Sequence, residues 1–384
     1  MKLRLLSIAH SYTVGLNRRL PHWIAKIGSP KWEVVAVAPV AFPGDLAPIR
    51  TVVDPSEAFV VHQLRVNLAR HIHFFFYSLK LRELLNGSWN IVHMWEEPYI
   101  IAGGQIAALT PKKVPLVYWT AQNIAKNYVL PFAQIERFCF RRARGWLAMG
   151  LTTMEVQTKR GFVGKPSGVI PLFVDTDSFR PDREAGASIK QSLGWDERRT
   201  PIVGYVGRFV TEKGLNLLMS ALDEVEAPWR ALFVGGGPMK SAIDLWAKRY
   251  GDKVRVLTGV SHHQVPAYMN AIDVLCVPSQ TTQNWREQFG RVIAEAFSSG
   301  VPVIGSDSGE IPYVIGDAGI VVGESDRHAW TDALERLLGD ERQRRDLSVA
   351  ARARAISHYS CPRVARQYIE FFERILDADR SIVG

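Results

Sequence analysis

The sequence predicts an α/β protein of two doubly wound parallel-sheet domains in tandem, and three observations carry that reading. At 384 residues the chain is too long for one ordinary core and suits two domains of roughly 150–200 residues each. Short apolar runs alternate with longer amphipathic stretches from end to end, the pattern of parallel strands covered by helices on both faces. Between two such series lies Pro171–Arg199, with Pro171, Pro181 and a cluster of charges, which sets the boundary between residues 1–172 and 173–362.

In order, the strand candidates of the first half are Leu3–Ala9, Glu33–Ala38, Ile91–Met94, Val114–Trp119 and Trp146–Met149. Those of the second half are Ile202–Val206, Ala231–Val234, Val254–Leu257, Val274–Val277, Val301–Ile304 and Gly319–Val322. Helical patterns between them include Leu215–Val225, Met239–Tyr250, Val265–Asn270 and Trp330–Leu338. Open sheets of this kind bind ligands at the carboxyl ends of their strands, so two of them facing each other make a cleft. The segment His62–Leu85 reads as a basic amphipathic helix around Phe74-Phe75-Phe76-Tyr77, its aromatic side facing the core or an anionic bilayer. The helical stretch at 363–384 has no strand after it and is expected to pack outside the second sheet, reaching back to the first domain.

Hydrophobic content of 47% with 22% charged residues excludes extensive disorder. Ile100–Leu109, broken by Gly103-Gly104, is far short of the ~20 apolar residues that a membrane helix needs. Met1-Lys2-Leu3-Arg4 runs directly into an apolar stretch and reads as a first strand rather than a signal peptide. Cys139, Cys276 and Cys361 have no metal-like spacing, as in a reduced, cytoplasmic protein. The net charge of +9 is one-sided: residues 1–175 hold 21 Lys and Arg against 10 Asp and Glu, and the remainder 26 against 28. A basic first half, to which Arg137, Arg141, Arg142 and Arg144 contribute, suits an anionic partner such as a phosphate-bearing acceptor or the inner face of a membrane. Nucleic acid is disfavoured, since no recognised binding motif is present.

Three stretches carry chemistry. In Gly204-Tyr205-Val206-Gly207-Arg208-Phe209-Val210-Thr211-Glu212-Lys213-Gly214, a strand ends in a glycine turn and leaves Arg208 and Lys213 on the loop before a helix. A fork of donors beside a compact charge suits a diphosphate. Val234-Gly235-Gly236-Gly237-Pro238 lets a backbone approach a ligand closely. In Trp285-Arg286-Glu287-Gln288-Phe289-Gly290-Arg291-Val292-Ile293-Ala294-Glu295, Gly290 near a helix start bares amides for a phosphate. Read as one helix, Glu287 and Glu295 stand about 12 Å apart. That is too wide for a glycosidase pair, which needs roughly 5–9.5 Å, and fits two sugars at the ends of one diphosphate. Glu310, with Pro312 in the first turn of a helix, reads as a capping residue, with a donor contact as the alternative.

On Gly204–Gly214 and Ser279–Val314 the sequence resembles the retaining GT-B glycosyltransferases of family 4 (glycosyl transferases group 1), whose signature is two glutamates separated by seven residues. The resemblance spans nearly the whole chain. It implies two Rossmann-like domains, with acceptor bound mainly by the first and the nucleotide-sugar donor mainly by the second. It also implies that Arg208 and Lys213 hold the diphosphate, that Glu287 contacts the transferred sugar, and that Glu295 binds the ribose hydroxyls. The backbone of Phe289, Gly290, Arg291 and Val292 then lies beside sugar and phosphates, with Gly207, Gly235 and Gly236 at the same site. The first domain departs from the family pattern. Its first loop, His10-Ser11-Tyr12-Thr13-Val14-Gly15, has only Gly15 where relatives often carry a glycine pair, and Gln122 stands where many have a histidine near the reacting sugar. His93 lies where similar enzymes have a His-rich turn, and reads equally as an acceptor contact or a structural residue.

The expected activity is transfer, with retention, of a hexose-type sugar from a UDP- or GDP-sugar to a hydroxyl of a glycan or lipid-linked acceptor, in polysaccharide or glycoconjugate biosynthesis. No covalent intermediate is suggested, and the departing diphosphate could take the acceptor's proton. No carboxylate cluster suggests a metal, so no metal or cofactor is expected. An epimerase or hydrolase of the same fold, or a non-catalytic anion-binding module, are the alternatives.

Overall fold

A computed structural model describes residues 2–44, 48–195 and 200–383, with side chains through 379. Met1 and the charged run 196–199 of the expected boundary lie outside the described residues. The chain forms two compact units, Met1–Pro171 with Cys361–Gly384, and Leu172–Ser360.

The first unit is built on seven parallel strands: β1 (Leu3–Ile8), β2 (Trp32–Pro39), β3 (Val60–Leu64), β4 (Ile91–Met94), β5 (Leu116–Thr120), β6 (Gly145–Ala148) and β7 (Ser167–Val169). Their order is β7-β6-β5-β4-β1-β2-β3. Successive strands run outward from β1 through β2 to β3, and then from β4 to β7 on the other side, so the order reverses between β1 and β4. The second unit has six parallel strands: β8 (Ile202–Arg208), β9 (Arg230–Gly236), β10 (Val254–Leu257), β11 (Val274–Val277), β12 (Val303–Ser306) and β13 (Ile320–Val322). Their order is β10-β9-β8-β11-β12-β13, which reverses between β8 and β11. These are two Rossmann-like sheets, the GT-B pattern.

Central strands are apolar without alternation, as burial on both faces requires: Ile91, Val92 and Met94 are fully buried, and so are Val274 and Leu275. The edge strand β3 is mostly open to solvent, with Val60 exposed and only Leu64 buried. β5 begins at Leu116, two residues later than expected, just past Pro115, which has no N–H to give a ladder. The helices that position the two reversal points or cover the sheets beside them are α1 (Gly15–Gly28), α2 (Ile101–Leu109), α3 (Phe132–Arg142), α4 (Leu215–Leu222), α5 (Arg291–Ser298) and α6 (Cys361–Val383).

The segment 62–85 is not the helix that its charge pattern suggests. It continues β3, forms a short antiparallel ladder of Val66–Asn67 with Phe76–Tyr77, and turns helical only at Lys80–Leu85. The reason is the aromatic run itself. Phe75 and Tyr77 are buried whereas Phe74 is 48% exposed and Phe76 half-buried, a period of two that an extended chain satisfies and a helix does not.

α6 reaches back to the first domain as expected, and belongs to that unit rather than to the second sheet. Tyr368, Phe371, Phe372 and Ile375, at i, i+3, i+4 and i+7, form its buried stripe. Phe372 meets Trp32 and His93 at ring distances of 6.2 and 5.5 Å, and α6 packs along α1. Lys31 pairs with Glu373 at 2.6 Å and Arg144 with Asp379 at 3.0 Å, fastening the helix at its flanks. Assigned this way, the first unit holds 25 Lys and Arg against 13 Asp and Glu, and the second 22 against 25.

Candidate functional site

In an open α/β sheet the ligand crevice lies at the carboxyl ends of the strands where their order reverses. In the second unit that is the gap between β8 and β11, and the sequence delivers its charges to both sides of it. Past β8, a short turn over Thr211–Lys213 carries Lys213. Past β11, an irregular loop runs from Pro278 to Gly290. Gly214 joins the two: its φ is 69°, and a Cβ there would stand 1.7 Å from the carbonyl oxygen of Pro278. Only glycine permits that approach. Lys213 Nζ then meets Glu287 Oε2 at 2.5 Å and lies 4.8 Å from the centre of the Trp285 ring. Ser279 Oγ donates to the same carboxylate oxygen at 2.9 Å. From the loop after β12, Glu310 N–H donates to the carbonyl of Glu287 at 3.1 Å.

Glu287 is therefore an oriented carboxylate, only 7% exposed. It is not on a helix. Glu287–Gly290 is loop, Gly290 is the N-cap of α5 in the left-handed region, and helix begins at Arg291. The 12 Å spacing drawn from a continuous helix does not apply, because the left-handed Gly290 turns the chain between the two glutamates. Glu295, buried on α5, faces His262 instead, whose Nε2 is 3.4 Å from its Oε1. Arg208, the last residue of β8, is exposed, and its side chain has no hydrogen-bond or ion-pair partner among the described residues. Gly207 and Gly235 face each other across the β8–β9 ladder at its carboxyl end, with Gly236 beside them in open space. Phe289 is an anchor, 3% exposed and edge-on to Tyr359, while Arg291 and Val292 are half-buried in the first turn of α5. Glu310 stands at the start of its helix but its side chain makes no capping bond. Ser279, Trp285 and His262 were not singled out by sequence reasoning. The position of His262 after a sheet strand was the one available signal.

In the first unit the residues expected on the acceptor side are not brought together. His93 is fully buried on β4, bonded through Nδ1 to Ser7 Oγ at 2.9 Å and covered by Tyr368 and Phe372 of α6. Burial drives its pKa down to about 3, so the ring is neutral. It is a core residue, not an acceptor contact. Gln122, 7% exposed, turns its side chain to the carbonyl of Ile124. Gly15 opens α1, where a Cβ would come no nearer than 3.6 Å to another group, so nothing there demands glycine. The reversal between β1 and β4 is occupied instead by His10, Glu96 and Glu97.

Among the described residues no three His, Cys, Asp or Glu side chains are grouped to hold a metal ion, and no helix is long and apolar enough to cross a membrane.

Two Rossmann-like units of this topology define the GT-B fold class. The fold covers 97% of this chain and all of Anabaena HepE in complex with UDP (TM-score 0.76, 17% identity), and 98% of this chain and all of sucrose-phosphate synthase from Thermosynechococcus elongatus (TM-score 0.74, 20% identity). The family model described as Glycosyl transferases group 1 matches residues 187–354. A curated relative, the GDP-mannose-dependent alpha-(1-6)-phosphatidylinositol monomannoside mannosyltransferase of Mycolicibacterium smegmatis, is 34% identical over 199 residues, 50% of this chain and 52% of the relative. The D-inositol 3-phosphate glycosyltransferase of Xylanimonas cellulosilytica is 32% identical over 197 residues, 48% of this chain and 46% of the relative. The chain spans about half the length of the curated relatives it matches.

Proposed function

We propose that the protein is a glycosyltransferase that moves a hexose-type sugar, with retention, from a UDP- or GDP-sugar to a hydroxyl of a glycan or lipid-linked acceptor, without a metal. The observation that carries this reading is the arrangement at the reversal between β8 and β11. There Glu287 is held by Lys213 and Ser279, while Arg208 stands exposed and unpaired at the end of β8. An anionic diphosphate satisfies Arg208 and competes for Lys213, which frees the Glu287 carboxylate to accept hydroxyls of the sugar. Charge developing on the departing diphosphate is then met by fixed cations and by the amides at the start of α5. Glu295, buried and turned toward His262, suits the ribose hydroxyls.

A phosphate-bearing acceptor or an anionic bilayer is supported by a concavity of about 490 Å³ on the first unit, lined in part by Lys126, Arg137, Arg141 and Arg160. Arg160 is spent on Glu136, both of whose oxygens it binds. Lys126, Arg137 and Arg141 are exposed, beside Val129 and Leu130, which are 72% and 70% exposed. Such a surface fits peripheral contact with the inner face of a membrane, and with it work on polysaccharides or glycoconjugates.

The test is a panel of UDP- and GDP-sugars scored by thermal shift and by nucleotide release with and without glycan and lipid-linked acceptors. Acceptor-dependent release is expected. Release that ignores acceptor points to a hydrolase or epimerase, and binding without release to a non-catalytic module.

A further inference from the structure

Lys213 has a second neighbour at the reversal between β8 and β11, and it is of a different kind from Glu287. The loop after β11 turns back on itself at Thr282. Thr282 N–H donates to the carbonyl of Trp285 at 2.7 Å, and its hydroxyl oxygen accepts from Trp285 N–H at 3.1 Å. This turn is tied to the loops around it. Gln280 N–H donates to the carbonyl of Glu212 at 2.8 Å, and Thr281 N–H to Glu324 Oε2 at 2.7 Å. The hydroxyls of Thr281 and Ser308 meet at 2.9 Å. Trp285 is thereby fixed as a half-buried ring whose centre lies 4.8 Å from Lys213 Nζ. It lies outside the hydrophobic cluster that Val203, Phe233 and Val274 form with their neighbours, so packing of that core does not account for it.

The two neighbours hold the ammonium differently. Glu287 Oε2 takes an N–H of Lys213 at 2.5 Å and occupies it. An aromatic face attracts the charge through its quadrupole and takes no N–H. A lysine stem has four rotatable bonds, so an ammonium drawn off Glu287 with no other seat would have to be ordered again by the ligand. Over the Trp285 ring it keeps its place and has its N–H groups free for oxygens.

We infer that Trp285 is a positioning residue for Lys213: its ring seats the ammonium in the crevice while Nζ exchanges the Glu287 carboxylate for an oxygen of the donor's diphosphate. This rests on the donor site of the transferase reading and lies wholly within the second unit. Trp285 acts through Lys213 and not on the ligand. Its contribution to nucleotide affinity therefore vanishes when the ammonium is removed, and any aromatic face supplies part of it.

The experiment is a double-mutant cycle read by calorimetric titration of UDP and GDP into the full chain, with NMR of selectively labelled lysine. Trp285→Leu is expected to weaken nucleotide binding about fivefold, and Trp285→Phe to recover most of that loss. In a Lys213→Met background, Trp285→Leu should change affinity by less than about twofold. The ε-methylene protons of Lys213 should be shifted upfield by the ring in the free protein. That shift should persist with nucleotide bound and be lost in Trp285→Leu. The inference is overturned by an equal loss with and without Lys213, which would place the ring on the ligand itself. Trp285→Phe as impaired as Trp285→Leu overturns it too, and so does a ring shift that disappears when nucleotide binds. Failure of the wild type to bind either nucleotide, with the ring shift present, overturns the donor reading and the exchange together. Binding without coupling between Trp285 and Lys213 overturns this inference alone.

Discussion

The two sheets place different chemistry at the same topological point. Where strand order reverses in the second unit, a lysine grips a carboxylate and an arginine stands exposed beside them. At the corresponding point of the first unit a histidine is gripped by a carboxylate, with a second carboxylate next in sequence. The fold dictates where a ligand sits; the loop residues dictate its charge. Cations follow β8, whereas a histidine and two glutamates follow β1 and β4. The one-sided charge of the chain therefore misleads if taken as a map of its sites, because the basic unit places two glutamates at its reversal and the slightly acidic unit places a lysine and an arginine at its own.

That contrast can be broken most directly at Arg208. Arg208→Ala is expected to lower turnover by about 10²–10³-fold and to weaken UDP or GDP binding in isothermal titration, with binding of acceptor unaffected. Equal loss of acceptor binding would mean that the two points do not divide the work. Next in size is stability. Phe372→Ala opens a cavity against Trp32 and His93 in the first unit and should cost about 3–5 kcal/mol in denaturant unfolding. Protection of β8–β13 amides in hydrogen exchange should stay unchanged, and loosening of both sheets alike would erase the distinction between the units. The smallest effect belongs to the surface. Arg137→Gln with Arg141→Gln should reduce flotation with anionic vesicles several-fold at low salt, and little at high salt, where such contacts are screened. Flotation that follows neither salt nor lipid charge would remove the membrane from the picture.

Much of the second unit was legible in the sequence. Its strands are short apolar runs, and the residues that build its reversal point fall within two stretches, Gly204–Gly214 and Ser279–Glu295, each readable as a loop between a strand and a helix. What stayed hidden is how those residues satisfy one another. Lys213 and Glu287 each suit a ligand separately, but they are 74 residues apart, and only the fold shows them paired. The helical spacing of the glutamates failed because a single left-handed glycine lies between them. In the first unit the distance is greater and the signal weaker: His10 and Glu96 are 86 residues apart, with no local motif at either end. His93 read equally as an acceptor contact or a structural residue, because the aromatic stripe of α6 that buries it lies at the far end of the chain. The stripe itself was readable at i, i+3, i+4 and i+7; which sheet it covers was not.

The return of α6 makes the second unit an insertion within the first, and that has a consequence in time. At about 5–20 residues per second on the ribosome, the residues from Leu172 to Ser360 take roughly 10–40 s to synthesise. Through that interval the first sheet is complete in strands but lacks the helix that covers Trp32 and His93. The second unit has every residue of its own core before α6 emerges. The order of folding is thus set to run against the order of the chain, with the later unit closing first and the earlier one last.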